Sequence, residues 1–311
     1  TYTTTATNGT WSIDLSQPPS SGTLTLNANG ANPVSATATD AAGNISAPGT
    51  QSLTIDTTLP AAPVITTALA NSAVPTITGT AEAGSTVTVT VGGATYTTTA
   101  TGGNWSINLA TATPTAGLLS LNANGVNPVS ATATDVAGNV SAPGTQSLTI
   151  DTTAPNAPTV TTALSNSTTP ILTGTAEAGS TVTVTIGGAT YTTTATGGNW
   201  SVNLATATPT AGSLSLNANG ANPVSATATD AAGNTSAPGT QSLTIDTTNP
   251  NAPVISTNLS NSTTPTLTGT AEAGSTVTVT IGGATYTTTA TGGNWSINLA
   301  TATPTAGTLS L

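Results

Sequence analysis

Ten side chains in this 311-residue sequence carry charge at neutral pH, and all ten are carboxylates. Eight fall into a repeating set: Asp56, Glu82 and Asp135, then Asp151, Glu177 and Asp230, then Asp246 and Glu272. Asp40 holds the third position of an earlier set, and Asp14 stands where later copies have Asn108, Asn203 and Asn298. Carboxylates with no neighbouring cation repel one another unless they are protonated or bridged. Their chemistry is therefore to collect an external cation wherever they cluster. Hard oxygen donors suit calcium, which takes roughly six to eight oxygens in flexible geometry. Paired carboxylates can also hydrolyse glycosides, but a repeated joint is not a cleft.

The rest of the composition removes most other chemistry. There is no Lys, Arg, His, Cys, Met or Phe. Without His, Lys or Cys no nucleophile–base pair assembles, so an enzyme is not expected. Without Lys or Arg nothing neutralises phosphates, which argues against nucleic acid and against a basic membrane-surface patch. No apolar run approaches the roughly 18–20 residues of a membrane helix, so no membrane insertion is expected within this segment. No disulfide staples the fold.

The carboxylates must be positioned by elements that repeat with them. Ile55, Ile150 and Ile245 stand 95 residues apart, as do Trp105, Trp200 and Trp295. That period is longer than a solenoid repeat, so each copy reads as a domain with one modest core. The expected boundaries are 1–55 (the C-terminal part of a repeat), 56–150, 151–245, and 246–311 (the N-terminal part of a repeat). Within 56–150, Thr, Val, Gly and Pro favour strands and turns over helices. "APVITTAL" (62–69) reads as a first short strand and "VPTITGTAEAGS" (74–85) as a second. Residues 85–109 give three more, broken at Gly92-Gly93 and Gly102-Gly103, and 127–151 give two. Alternation turns Val87, Val89 and Val91 inward with Trp105, Ile107, Leu109, Val129, Ala131, Ala133, Leu148 and Ile150. Seven or so short strands in this length predict an all-β fold of tandem immunoglobulin-like sandwiches, joined end to end in an extended array.

"TGTAEAGSTVTVT", "GGNWSINL", "ATATDVAGNVS" and "IDTTAPNAP" follow one another in that order. In this the chain resembles the bacterial Ig-like repeats of giant biofilm-associated, type I-secreted surface adhesins. The resemblance spans the whole chain. It departs in the longer segment "ATATPTAGLLSLNANGVNP" and in the lack of positive charges. It implies a non-enzymatic stalk or fibre segment, an extracellular place on the bacterial surface or in the biofilm matrix, and calcium at the joints.

Laid on an Ig-like sandwich, the linker Asp56 and the turns holding Glu82 and Asp135 fall at one pole. The same holds for Asp151, Glu177 and Asp230, and for Asp246 and Glu272, with Asp40 as the survivor of an earlier set. Three carboxylates there, with loop carbonyls and an Asn139 amide oxygen, are the expected calcium ligands. Blander readings compete. Asp before Thr-Thr can cap an Asx turn, "DVAGN" can be a hairpin turn with Gly138 at positive φ, and Glu82 can be an exposed turn residue.

Other features complete the reading. Residues 2–26 recur almost unchanged as 286–311. In residues 1–55 alone, Trp11, Ile13, Leu15, Val34, Leu53 and Ile55 would lie open. The partners expected are further repeats of the same chain or, by strand exchange, neighbouring copies in a fibre. "NWS" at Asn104, Asn199 and Asn294 fits the glycosylation sequon but is better explained by a core Trp. An alternative function is an array of carbohydrate- or ice-binding modules that uses the Thr-rich strand faces. "NANG" (122–125) reads only as a turn.

Overall fold

A computed structural model describes residues 1–310 and contains strands but no helix among them. The chain divides into two compact units, Thr1–Asn156 with Ala228–Ala237, and Ala157–Thr227 with Pro238–Leu311.

In the first unit β1 (Gly30–Ala36) and β2 (Gly49–Ile55) form an antiparallel pair. Eight strands follow: β3 (Val64–Ile65), β4 (Leu69–Ala70), β5 (Thr76–Thr80), β6 (Thr86–Val91), β7 (Ala94–Thr99), β8 (Asn104–Asn108), β9 (Asn124–Thr134) and β10 (Gly144–Asp151). They make a larger sheet in the order β4-β10-β9-β6-β7 and a smaller one in the order β3-β5-β8. The "TVTVTV" of β6 is β-branched throughout, which suits a pleated surface, and its alternation buries the three valines. They pack with Ile77, Tyr96, Trp105, Val129, Leu148 and Ile150 between the sheets.

The segment 62–69, expected as one strand, is two. β3 pairs with β5 in the smaller sheet, and β4 lies parallel on β10 in the larger. Between them the Thr67 hydroxyl, not a main-chain carbonyl, accepts the Thr78 amide at 2.9 Å. The chain then crosses, and the Thr149 amide donates to the Ala68 carbonyl at 2.8 Å. A side chain standing in for a ladder bond lets the chain change sheets.

Two close approaches need glycine. A methyl on Gly144 would overlap the Pro63 carbonyl, and one on Gly79 would overlap the Val64 carbonyl and the Trp105 ring. Both pull the first strand against the rest of the sandwich.

The second unit carries the same pattern. β11 (Thr159–Val160), β13 (Ile171–Thr175) and β16 (Asn199–Asn203) form a three-stranded sheet. β12 (Leu164–Ser165), β14 (Thr181–Ile186), β15 (Ala189–Thr194), β17 (Ala211–Gly212), β18 (Asn219–Thr229) and β19 (Gly239–Asp246) form the larger one, in the order β12-β19-β18-β14-β15-β17. Beyond them, β20 (Val254–Ile255), β21 (Thr266–Thr270) and β24 (Asn294–Asn298) form a sheet, and β22 (Thr276–Ile281) pairs with β23 (Ala284–Thr289).

Residues 1–55 contain only β1 and β2, so their apolar side chains lack facing strands there. Trp11 is 54% exposed where Trp105 is 3% exposed. Leu15, Val34 and Leu53 are exposed too, whereas Ile13 and Ile55 are partly covered.

Candidate functional site

The register carries the carboxylate-bearing turns to one pole. Thr86, at the start of β6, lies beside Thr134, at the end of β9. The Glu82 turn and the Asp135 loop therefore flank each other, and the linker leading to β3 arrives at the same end.

Asp135 and Asn139 close this pole. The Asp135 Oδ1 accepts the Asn139 amide at 2.8 Å, and its Oδ2 accepts the Asn139 side-chain nitrogen at 2.8 Å. That same nitrogen donates to the Asp56 carbonyl at 3.0 Å. The next copy repeats the motif: Asn234 Nδ2 donates to Asp230 Oδ2 at 2.8 Å and to the Asp151 carbonyl at 2.8 Å. In the earlier copy Asn44 holds Asp40 in the same way.

The linker is gripped from its other side by the "NANG" turn. Asn124 Oδ1 accepts the Thr152 amide at 2.8 Å and its hydroxyl at 3.0 Å. Asn29 does the same for Thr57, and Asn219 for Thr247. The buried Asn127 supports this turn by accepting from the Asn122 amide and donating to the Asn122 and Gly125 carbonyls. Sequence reasoning missed this second clamp. The recurrence of Asn29, Asn124 and Asn219, each 28 residues before the Thr it grips, was the available signal.

Among the described residues no group of three acidic side chains stands at metal-holding distance. Asp135 and Asp230 spend both oxygens on their asparagines. Asp56, Asp151 and Asp246 accept the amides of Thr58, Thr153 and Thr248, which are Asx turns. Glu82, Glu177 and Glu272 are exposed. Their turns are closed by the main-chain carbonyl of each Glu, which accepts from Ser85, Ser180 and Ser275. Local hydrogen bonds four residues apart or fewer cost little loop entropy, which favours these turns in the absence of a bridging cation. Asn139 supplies its amide nitrogen to the joint, not the oxygen expected of it. As folded, the joint is closed by an amide.

The Asn139 side chain does most to hold the Asp135 carboxyl below its ordinary pKa; burial opposes it, and the main-chain amides of Asn139, Gly138 and Ala137 add to the lowering. Asn234 does the same for Asp230, and Asn44 for Asp40. A lowered folded-state pKa stabilises the fold fully above the unfolded value, near 4, and the contribution vanishes as pH falls through the lower folded value. With no His or Lys to titrate, the melting temperature should be flat from about pH 5 to 8 and drop below about pH 4. Calorimetry across that range checks this, and Asp135→Asn with Asp230→Asn should flatten the acid limb.

Fold and joint together define a tandem array of small all-β sandwich modules. A family model described as a bacterial Ig-like domain matches residues 66–152 and 159–247, more than half of the chain. The chain belongs to that family. No curated protein matches it significantly. Among solved structures it is similar to the fibronectin(III)-like modules of Clostridium thermocellum CbhA, at 15% identity and TM-score 0.35, over 59% of this chain and 93% of that one. It is also similar to the FN1–FN3 domains of chicken CNTN1, at 12% identity and TM-score 0.36, over 67% of this chain and 76% of that one. No helix among the described residues is long and apolar enough to cross a membrane.

Proposed function

We propose that this chain is a non-enzymatic structural segment of a bacterial surface or biofilm-matrix adhesin, in which the modules act as a stalk or fibre that sets distance. The observation that carries this reading is the joint, built twice with the same parts. Asn29, Thr57, Asp56 and Asn139 recur as Asn124, Thr152, Asp151 and Asn234, with matching hydrogen bonds within about 0.2 Å. Copies that differ so little in their joints serve length and stiffness better than they serve separate recognition tasks. An extracellular location follows from the same reading.

Calcium enters the proposal as a second clamp over the asparagine one. Asp56, Glu82 and Asp135, and in the next copy Asp151, Glu177 and Asp230, are the residues that would hold it, with Asp246, Glu272 and Asp40 as members of incomplete sets. Their oxygens suit a hard cation, and no basic side chain competes for them. A ligand at 100 times its Kd adds about 2.7 kcal/mol per site. Calcium should therefore raise the melting temperature and lengthen the chain in small-angle scattering, and chelation should reverse both. Asp151→Asn should remove the effect at that joint alone. Unchanged melting and length would remove calcium from the proposal and leave the asparagine clamp. A stalk is tested separately: scattering that gives a collapsed particle with and without calcium would refute it.

A further inference from the structure

Threonine covers both outer faces of the sandwich, and the two faces are chemically different. On the smaller sheet several hydroxyls are tied to one another. Thr173 bonds to Thr161 at 2.9 Å and to Thr162 at 3.0 Å, and Thr159 bonds to Thr175 at 2.7 Å. The first copy repeats this with Thr66, Thr67 and Thr78.

On the larger sheet the register lines hydroxyls up in rows and leaves most of them unjoined, the Thr280–Thr285 pair at 3.4 Å being an exception. Thr88 stands between Thr97 and Thr132, and Thr90 between Thr95 and Ser130. Neighbours in a row are roughly 4.8 Å apart and successive rows roughly 6.7 Å apart. That spacing is too wide for most hydroxyl pairs to bond directly, and β-branching fixes each threonine rotamer. In the next copy, Thr185, Ser225, Thr240 and Ser242 surround an open hollow of about 630 Å³ beside Pro223 and the Gly187-Gly188 turn. None of these four hydroxyls has a hydrogen-bond partner among the described residues, and Thr185, Thr240 and Ser242 are exposed. Ser35, Thr50 and Ser52 line a smaller hollow of about 430 Å³ at the matching place.

We propose that this hydroxyl face binds a neutral polysaccharide strand. Three properties select that occupant. The hollow is lined by no charged side chain, while the chain as a whole carries −10. An anionic polymer is therefore repelled, and a cationic one finds no partner in the hollow. The free hydroxyls are both donors and acceptors, as are those of a sugar, so neither side is left with an unmatched group. The hollow is open, which admits a polymer lying across it, and a matching one stands beside Pro33. The inference does not rest on the stalk reading and survives if that reading fails.

The test is affinity electrophoresis of the whole 311-residue chain in native gels cast with dextran, galactomannan or mixed-linkage β-glucan, and with alginate as the anionic control. Retardation in at least one neutral gel and none in alginate is the expected result. A variant combining Ser35→Ala and Thr50→Val with Thr185→Val, Ser225→Ala and Thr240→Val removes hydroxyls from both hollows and keeps strand-compatible shapes. Its apparent association constant should fall at least about tenfold with an unchanged circular-dichroism spectrum. If it misfolds, Thr185→Val alone, at an exposed strand position, should still give a measurable fall. Absence of retardation in every neutral gel, or retardation untouched by the variants, overturns the proposal. So does self-association in sedimentation that the variants abolish, because the face would then belong to a second copy.

Discussion

Trp200→Ala is expected to remove about 3–5 kcal/mol of stability, the range for truncating a buried aromatic side chain. Trp200 is 3% exposed and sits at the centre of a core with Leu172, Val184, Tyr191, Leu243 and Ile245. Its indole nitrogen also donates to the Thr159 carbonyl at 3.2 Å and the Thr175 carbonyl at 3.3 Å. The substitution therefore opens a cavity and leaves two carbonyls short of a partner. A small domain has only about 5–15 kcal/mol in all, so this loss approaches the whole. Calorimetry should show one early-melting transition while the remaining copies melt as before. Loss of the entire chain in one transition would contradict separately folding copies. Trp105 and Trp295 lack the indole hydrogen bond, so their truncation should cost somewhat less.

Gly174→Ala is expected to destabilise the same core from the opposite direction, by overfilling it. Gly174 pairs directly with Trp200 across the ladder. An added methyl would overlap the Thr159 carbonyl and come within 2.6 Å of the Trp200 ring. Overpacking typically costs about 1–3 kcal/mol, and here one obstacle is main chain, which has little room to give. Urea unfolding measures the cost. The two changes share a contact, so their effects should not add: with Ala at 200, the ring clash is gone and only the carbonyl clash remains. Full additivity in the double variant would show that the methyl never meets the indole.

Much of this was legible in the chain itself. The alternation of "TVTVTV" sends Val87, Val89 and Val91 inward wherever the strand lies, because period two is a property of the extended backbone. Trp105, Ile107 and Leu109, and Leu148 with Ile150, are buried for the same reason. The turn at Gly138, with φ of 96°, follows from the Asp-x-x-Gly-Asn spelling. The break between β3 and β4 was not legible, because "APVITTAL" carries an unbroken strand composition and only a hydroxyl from Thr67 competes with the ladder. Nor was the second clamp, because Asn124 and Thr152 meet only once β9 and β10 are paired with Asn124 opposite Asp151.

The sequence by itself determined the period, the all-β class, the inward residues and the chemistry that is absent, since these depend on composition and on spacing along one strand. The tertiary structure alone decided which polar groups meet. It brought Asn139 to the Asp56 carbonyl, 83 residues away. It tied Thr159 to Thr175 and Thr161 and Thr162 to Thr173 on one face, and left Thr185 and Thr240 unbonded on the other. A pole or a face is fixed by topology, but a hydrogen bond is fixed by tenths of an ångström, and that scale exists only after the sheets have packed.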